Sequence, residues 1–252
     1  MLYFGLKFHD LDEYTGNRVW PFLRKFYFNQ SVTYQFSDKS VCNANQKLVF
    51  VVVGNLTNMS LISAFGFHGN IFQNLDLIYL LPRILFKIPI LRDILLWSGA
   101  GVNTTDNIAR LLYNGKSVAF APSGMNNMIS YTDPKEKEKI QMPSEDTLKF
   151  IYDNKLLIVP VLIGNETKRY WIWRGKYVHM IQTYFASTRL KWPFPVLYGV
   201  KIFGSTPPPK VTVTIGAIID CSRLDSITKI QENFKTQIEG FLNVTGDDRE
   251  FI

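Results

Sequence analysis

A chain of 252 residues, 46% hydrophobic and 14% aromatic, carries enough apolar material for one large domain, and general disorder is excluded. Its net charge of +7 favours an anionic partner, either a membrane surface or a phosphate-bearing substrate; no nucleic-acid fold signature accompanies the charge, so no nucleic acid is expected. The two cysteines, Cys42 and Cys221, have neither metal-ligand nor disulfide-framework spacing, so reduced, buried thiols in a cytosolic compartment and no metal site are expected.

Residues 1–46 read as an aromatic and basic membrane-proximal segment. Met1 to Phe8 is apolar but far shorter than the roughly 20 residues of a bilayer span, and it lacks the basic start and cleavage site of a signal peptide. Trp20, Phe22, Leu23, Phe26 and Tyr27 are then interleaved with Arg18, Arg24 and Lys25. That mixture suits the lipid headgroup region or an amphipathic helix docked on a core. Lys47 to Gly54 is a continuous β-branched run, the mark of a strand buried on both faces. A helix start is expected over Met59 to Phe67. Leu75 to Leu91 is the most apolar stretch, but Pro82, Arg83, Lys87 and Pro89 interrupt it. A transmembrane span is therefore not expected there; a membrane-dipping segment and a pair of core helices both remain open.

Ile84 to Gly124 organises the rest, reading as helix, turn, helix, strand, turn. Ile88, Leu91, Ile94 and Leu95 repeat at helical spacing. Thr104, Thr105 and Asp106 can cap a second helix carrying Ile108, Leu111 and Leu112, which Asn114-Gly115 stops. Ser117 to Ala121 follows as a strand and ends at Pro122-Ser123-Gly124, a βα-type unit of the kind whose sites gather at strand ends. Asp133 to Lys139 is a charged loop. Ser144-Glu145-Asp146 opens a helix to Tyr152, and Leu156 to Ile163 is a second buried strand closing in Gly164-Asn165-Glu166. Tyr170 to Tyr177 is another candidate interfacial patch. Lys210 to Gly216 is an alternating strand, and Ile227, Ile230, Phe234, Ile238 and Phe241 mark an amphipathic helix that packs on the sheet.

With these elements placed, the chain resembles the type-2 diacylglycerol acyltransferase family, which includes monoacylglycerol acyltransferases and wax synthases, over nearly its whole length. Asn17 to Phe28 looks like the family's segment leading out of its membrane hairpin, and Met59 to Phe65 like the helix after its catalytic motif. Phe86-Lys-Ile-Pro-Ile-Leu-Arg-Asp93 matches the family's Phe-Arg-Met-Pro-Val-Leu-Arg-Glu, with Ser98-Gly99-Ala100 and Asp106 at similar intervals after it. Val159-Pro160-Val161, with Glu166 shortly behind, looks like its Val-Pro strand and following Gly-Glu-Asn.

The resemblance implies one α/β domain over residues 47–252, a central, mostly parallel sheet flanked by helices. It implies an O-acyltransferase of triacylglycerol synthesis on the cytosolic face of the endoplasmic reticulum. Acyl-CoA would be a co-substrate rather than a bound cofactor, and the acceptor an acylglycerol or other lipid alcohol. Met1 falls about where the family's hairpin would be ending, so peripheral or monotopic attachment to the membrane surface is expected, alone or as a homo- or hetero-oligomer with an active relative.

The family draws its base from a His-Pro-His-Gly motif at the end of the first strand. Here Gly54-Asn55-Leu56-Thr57 fills that slot, and none of these side chains is a general base near neutral pH. The family's Gly-Gly-Ala-Ala-Glu corresponds to Ser123-Gly124-Met125-Asn126-Asn127, losing the acid. Its Arg-Lys-Gly-Phe corresponds to Ser144-Glu145-Asp146-Thr147, where carboxylates repel phosphate. Phe65-Gly66-Phe67-His68-Gly69 looks like the catalytic motif with two residues missing, although Gln73 leaves the His-x4-Asp pattern of wider glycerolipid acyltransferases unmet. His68 is accordingly the candidate base and Glu166 its orienting partner or an acceptor from the lipid hydroxyl. Asn55, Ser123, Gly124, Asn126 and Asn127 are candidate substrate-binding positions, the last two able to donate to a carbonyl oxygen or simply to make a turn. His9 and His179 read as structural or surface groups. The alternative to an enzyme is a catalytically silent homologue that binds lipid or regulates an active relative.

Overall fold

Apolar β-branched runs separated by capped helices assemble into a central sheet whose two faces are both covered. The computed structural model describes residues 32–43, 46–54, 61–66, 72, 75–88, 91–122, 139–140, 142–165, 170–171, 175–188, 199–200, 211–245 and 250–251. Its strands are β1 (Val32–Phe36), β2 (Val49–Val53), β3 (Leu77–Leu81), β4 (Ala100–Val102), β5 (Ser117–Phe120), β6 (Lys139–Ile140) and β7 (Leu157–Gly164). They continue as β8 (Tyr170–Trp171), β9 (Gly199–Val200), β10 (Val211–Ile215), β11 (Ile219–Asp220) and β12 (Glu250–Phe251). The helices are α1 (Leu91–Trp97), α2 (Thr105–Tyr113), α3 (Glu145–Asp153), α4 (Lys176–Ser187) and α5 (Ile227–Thr245).

The main sheet runs β1-β10-β7-β2-β5-β3-β4, with β11 also on β7. β7, β2, β5, β3 and β4 are mutually parallel; β10 is antiparallel to β7, and β1 lies parallel to β10 at the edge. The expected mostly parallel α/β architecture is therefore present, and β1, within residues 1–46, is one of its strands. β6 pairs with β12, and β8 with β9, as two short separate ladders.

Every residue of β2 is buried, as its unbroken Val and Phe content requires of a strand with cover on both sides. Phe50 and Val52 face one core with Tyr79, Val159, Val161, Phe65 and Phe72. Val49, Val51 and Val53 face the other, where Ile108 and Leu112 of α2, Leu148 and Ile151 of α3, and Ile230, Phe234 and Ile238 of α5 close over the sheet. Both expected helix caps form: Thr104 Oγ1 accepts from Asn107 N at 3.4 Å and Ser144 Oγ from Thr147 N at 3.3 Å, while Gly115, with φ +80°, turns the chain out of α2 as a left-handed stop.

Three expectations need correction. Leu75 to Leu91 is neither a membrane-dipping segment nor a helix pair: Leu77–Leu81 is β3, paired on both sides, and Arg83–Lys87 is a 3-10 turn. Pro82 ends the ladder there, having no N–H to give. The turn read after α1 holds a strand, β4, too short to show a pattern. The alternation expected in β10 is weak, because Thr214 is buried as well and its Oγ1 donates to Gln35 Oε1 at 3.4 Å. Among the described residues no helix is long and apolar enough to cross a membrane.

A proline in the middle of a buried strand is normally excluded. Pro160 escapes because the β10 and β11 ladders on β7 are offset by one residue, Ile215 pairing with Val161 and Ile219 with Ile158. The Pro160 carbonyl still accepts from Gly216 N at 2.8 Å, and its missing N–H faces the resulting bulge. Gln237 of α5 completes the bulge: Ala217 N donates to its Oε1 at 2.9 Å and its Nε2 donates to Ala217 O at 3.3 Å. Gln237→Ala should therefore cost about 1–2 kcal/mol, read as a lower urea midpoint at unchanged slope; an unchanged midpoint would remove the strut.

Cys221 is buried, as expected; the Cys42 side chain lies outside the described residues. Burial, and then the Asp220 charge, push the Cys221 thiol up to about 12 from an ordinary 9.0. Above pH 9 the unfolded chain loses a proton the folded chain keeps, so this group's contribution falls as pH rises from 9 towards 12. At neutral pH Cys221 should resist iodoacetamide in the native protein and react once urea unfolds it; rapid native labelling would contradict the burial.

Candidate active site

The seven residues proposed from sequence, His68, Glu166, Asn55, Ser123, Gly124, Asn126 and Asn127, all lie outside the described residues. The strand ends that lead to them are described, and they fall together. β2 ends at Val53 and leaves through Gly54, one residue before Asn55; β5 leaves through Ala121-Pro122, one residue before Ser123; β7 leaves through Asn165, one residue before Glu166. These three strands are neighbours and parallel, in the order β7-β2-β5. At about 4.8 Å between strands, the outer exits stand roughly 10 Å apart at one edge. The carboxyl edge of a parallel sheet is where crevices form, because successive chain exits diverge there.

Local conformation sharpens two of the exits. Gly54 has φ +73° and Asn165 φ +62°, the left-handed region that glycine enters freely and asparagine tolerates. Asn165 is held there by its own side chain, whose Nδ2 donates to Thr212 Oγ1 at 3.2 Å. By register Val53 stands beside Leu162, so β7 runs two residues, about 7 Å, further out than β2.

His68 belongs to a different segment, between Phe65 and Phe72. Ile62–Gly66 forms a π-helix where a helix start was expected, and Tyr34 O–H donates to Ala64 O at 2.6 Å, tying it to β1. Phe65 and Phe72 are both fully buried and meet Phe50 of β2, with ring centroids 5.9 and 5.4 Å away and 6.0 Å from each other. Both anchors of the His68 segment thus sit on the strand whose exit leads to Asn55. Three residues of extended chain reach at most about 10 Å from Phe65.

Ser144 to Thr147, where the family resemblance puts cations, has a folding role: Ser144 caps α3, and Glu145 and Asp146 occupy its first turn, where carboxylates suit the helix N-terminus. Arg83, exposed two residues beyond the end of β3, brings a cation to the same carboxyl edge. Sequence reading passed over it as an interruption in an apolar stretch, and a strand assignment for Leu77–Leu81 would have placed it. Tyr79 is buried, and burial raises its phenol well above the usual value. Its O–H donates to Ser98 Oγ at 2.5 Å, which in turn donates to Leu95 O at 2.8 Å. This chain braces α1 against β3, and a phenol so raised is no base. Among the described residues no group of three or more His, Cys, Asp or Glu could hold a metal ion.

No family model matches the chain, and no curated protein matches it. Among solved structures it is similar to the 1-acyl-sn-glycerophosphate (LPA) acyltransferase PlsC from Thermotoga maritima. The TM-score is 0.50 at 15% sequence identity, over 94% of this chain and 79% of that one. The likeness is one of fold: this chain has a mixed α/β architecture like that of this neighbour.

Proposed function

We propose that the chain is an acyl-CoA-dependent O-acyltransferase of neutral-lipid synthesis, working at the cytosolic face of the endoplasmic reticulum. The observation that carries this reading is the side-by-side exit of β7, β2 and β5, in an acyltransferase fold, into the segments that begin Glu166, Asn55 and Ser123. In the proposed reaction the acceptor hydroxyl oxygen attacks the thioester carbon of acyl-CoA. His68 takes the hydroxyl proton, amide or hydroxyl donors among Asn55, Ser123, Asn126 and Asn127 hold the oxyanion, and the proton passes to the departing CoA thiolate. Glu166 orients the imidazole, and Arg83 lies at the correct edge to meet a phosphate.

The resemblance to type-2 diacylglycerol acyltransferases favours an acylglycerol acceptor, whereas the structural neighbour is named for 1-acyl-sn-glycerophosphate. Radiolabelled oleoyl-CoA offered with monoacylglycerol, diacylglycerol, a fatty alcohol or lysophosphatidic acid separates the two. Labelled neutral lipid supports the reading; label only in phosphatidic acid transfers it to the phosphorylated acceptor.

A second reading rests on Gly54-Asn55-Leu56-Thr57, which places no base where the family has one. On it the chain is a silent homologue that binds lipid or an active relative. It requires that no acceptor in the panel be acylated by folded protein.

A further inference from the structure

We infer that α4 is a membrane-docking element whose exposed face inserts into the headgroup region of an anionic bilayer. On this twelve-residue helix Tyr177, Met180, Ile181 and Tyr184 are 76%, 59%, 49% and 66% exposed. At 3.6 residues per turn they fall on one arc of about 100°. On the opposite side Gln182 is buried and His179 half-buried, and Val178 and Phe185 are half-buried on the flank between. The helix is thus seated on the protein by one face and offers solvent an aromatic and aliphatic stripe on the other. Lys176, exposed along one flank with Thr183 and Ser187, can keep its ammonium among headgroups while its methylenes follow the stripe.

Charge identifies what covers the stripe. Residues 167–219, which contain α4, hold eight lysines and arginines and not one aspartate or glutamate, against +7 for the whole chain. The positive charge of the protein is therefore concentrated in the stretch of sequence that contains this helix, and the remainder of the sequence is nearly neutral. The same residues include ten aromatics, among them three of the chain's five tryptophans. Cations and aromatic rings together mark an element that lies in the interface plane with its apolar face about 5–10 Å deep. An anionic leaflet attracts such a segment. A second copy of this chain would bring two strongly positive regions face to face, which costs free energy.

The inference deepens the proposed function, because a lipid acceptor would be met at the surface on which α4 docks, yet binding is measured without turnover. Co-sedimentation of the full chain with phosphatidylcholine vesicles, with and without phosphatidylserine, is the test. Binding should be about tenfold or more tighter on the phosphatidylserine vesicles and should weaken as salt is raised. Replacing Tyr177, Met180, Ile181 and Tyr184 together by Ser should weaken it about tenfold or more, whereas Tyr113→Ser and Val244→Ser, at exposed apolar positions on other helices, should leave it unchanged. The single Met180→Glu, at an exposed position, should weaken binding at least about threefold while keeping the native urea midpoint, and so serves if the fourfold variant misfolds.

Equal binding of native and variant proteins overturns the assignment of α4. So does a native protein that ignores vesicles, whether it stays monomeric or forms a concentration-dependent dimer lost in the variant. A protein that docks but transfers no acyl group refutes the catalytic reading alone; one that acylates micellar acceptor but does not dock refutes this inference alone.

Discussion

Phe50→Ala is expected to cost about 3–5 kcal/mol, roughly a fifth or more of the stability of an ordinary domain. Phe50 is fully buried in a central strand with neighbours on both sides, and its ring is the common contact of Phe65 and Phe72. Phe72 in turn meets Tyr34 and Phe36 of β1, with centroids 6.4 and 6.3 Å away. Truncation leaves a cavity that rigid strands cannot close and removes ring contacts worth about 0.5–1.5 kcal/mol each beyond their area. Urea unfolding should show the loss as a lower midpoint, with Phe50→Leu much closer to native. A loss under about 1.5 kcal/mol would mean that the cluster relaxes around the gap. Because Phe50 holds both anchors of the segment carrying His68, acyl transfer should fall further than the folded fraction does.

His68→Ala should lower acyl transfer by about two to four orders of magnitude while leaving the urea midpoint near native. The hydroxyl of a lipid alcohol is a poor nucleophile until a base takes its proton as the bond to the thioester carbon forms. Glycine, asparagine, leucine and threonine in the slot after β2 cannot do this. Tyr79, the buried phenol beside α1, holds its proton too tightly to serve. His68, three residues along the sequence from an anchor packed on β2, is the imidazole proposed for this role. If it acts only as packing, the variant should lose stability and keep its kcat once refolded fraction is corrected for.

The sheet was largely legible because buried parallel strands have a blunt signature. Lys47 to Gly54 and Leu156 to Ile163 are apolar runs with no polar alternation; the first contains β2 and the second all of β7 but its last residue, Gly164. The helices α2, α3 and α5 were legible for the opposite reason, each showing one apolar face with Thr104, Ser144 or the Ile227–Phe241 spacing to set its frame. β3 was hidden because five apolar residues of a central strand, three of them buried, look like part of a buried helix, and the neighbouring Ile84-Leu85-Phe86 extended the apolar run past Pro82. β4 was too short to register. The Pro160 bulge could not be read at all, since the one-residue offset that tolerates it belongs to β10, β11 and the Gln237 side chain, far along the chain. Of the site, sequence reading placed Asn55, Ser123 and Glu166 just after strands. That those strands are neighbours is a fact of topology, and β7 reaches β2 only because the chain between them crosses the sheet.

Release of free CoA thiol from oleoyl-CoA by the folded, full-length chain, with acylglycerol-bearing anionic vesicles present, tests the central claim most directly, because every acyl transfer frees one thiol whatever the acceptor. The account predicts release that depends on acceptor and collapses in His68→Ala. Folded, vesicle-bound protein that releases no thiol with any acceptor would contradict it and leave the silent lipid-binding homologue as the reading of this fold.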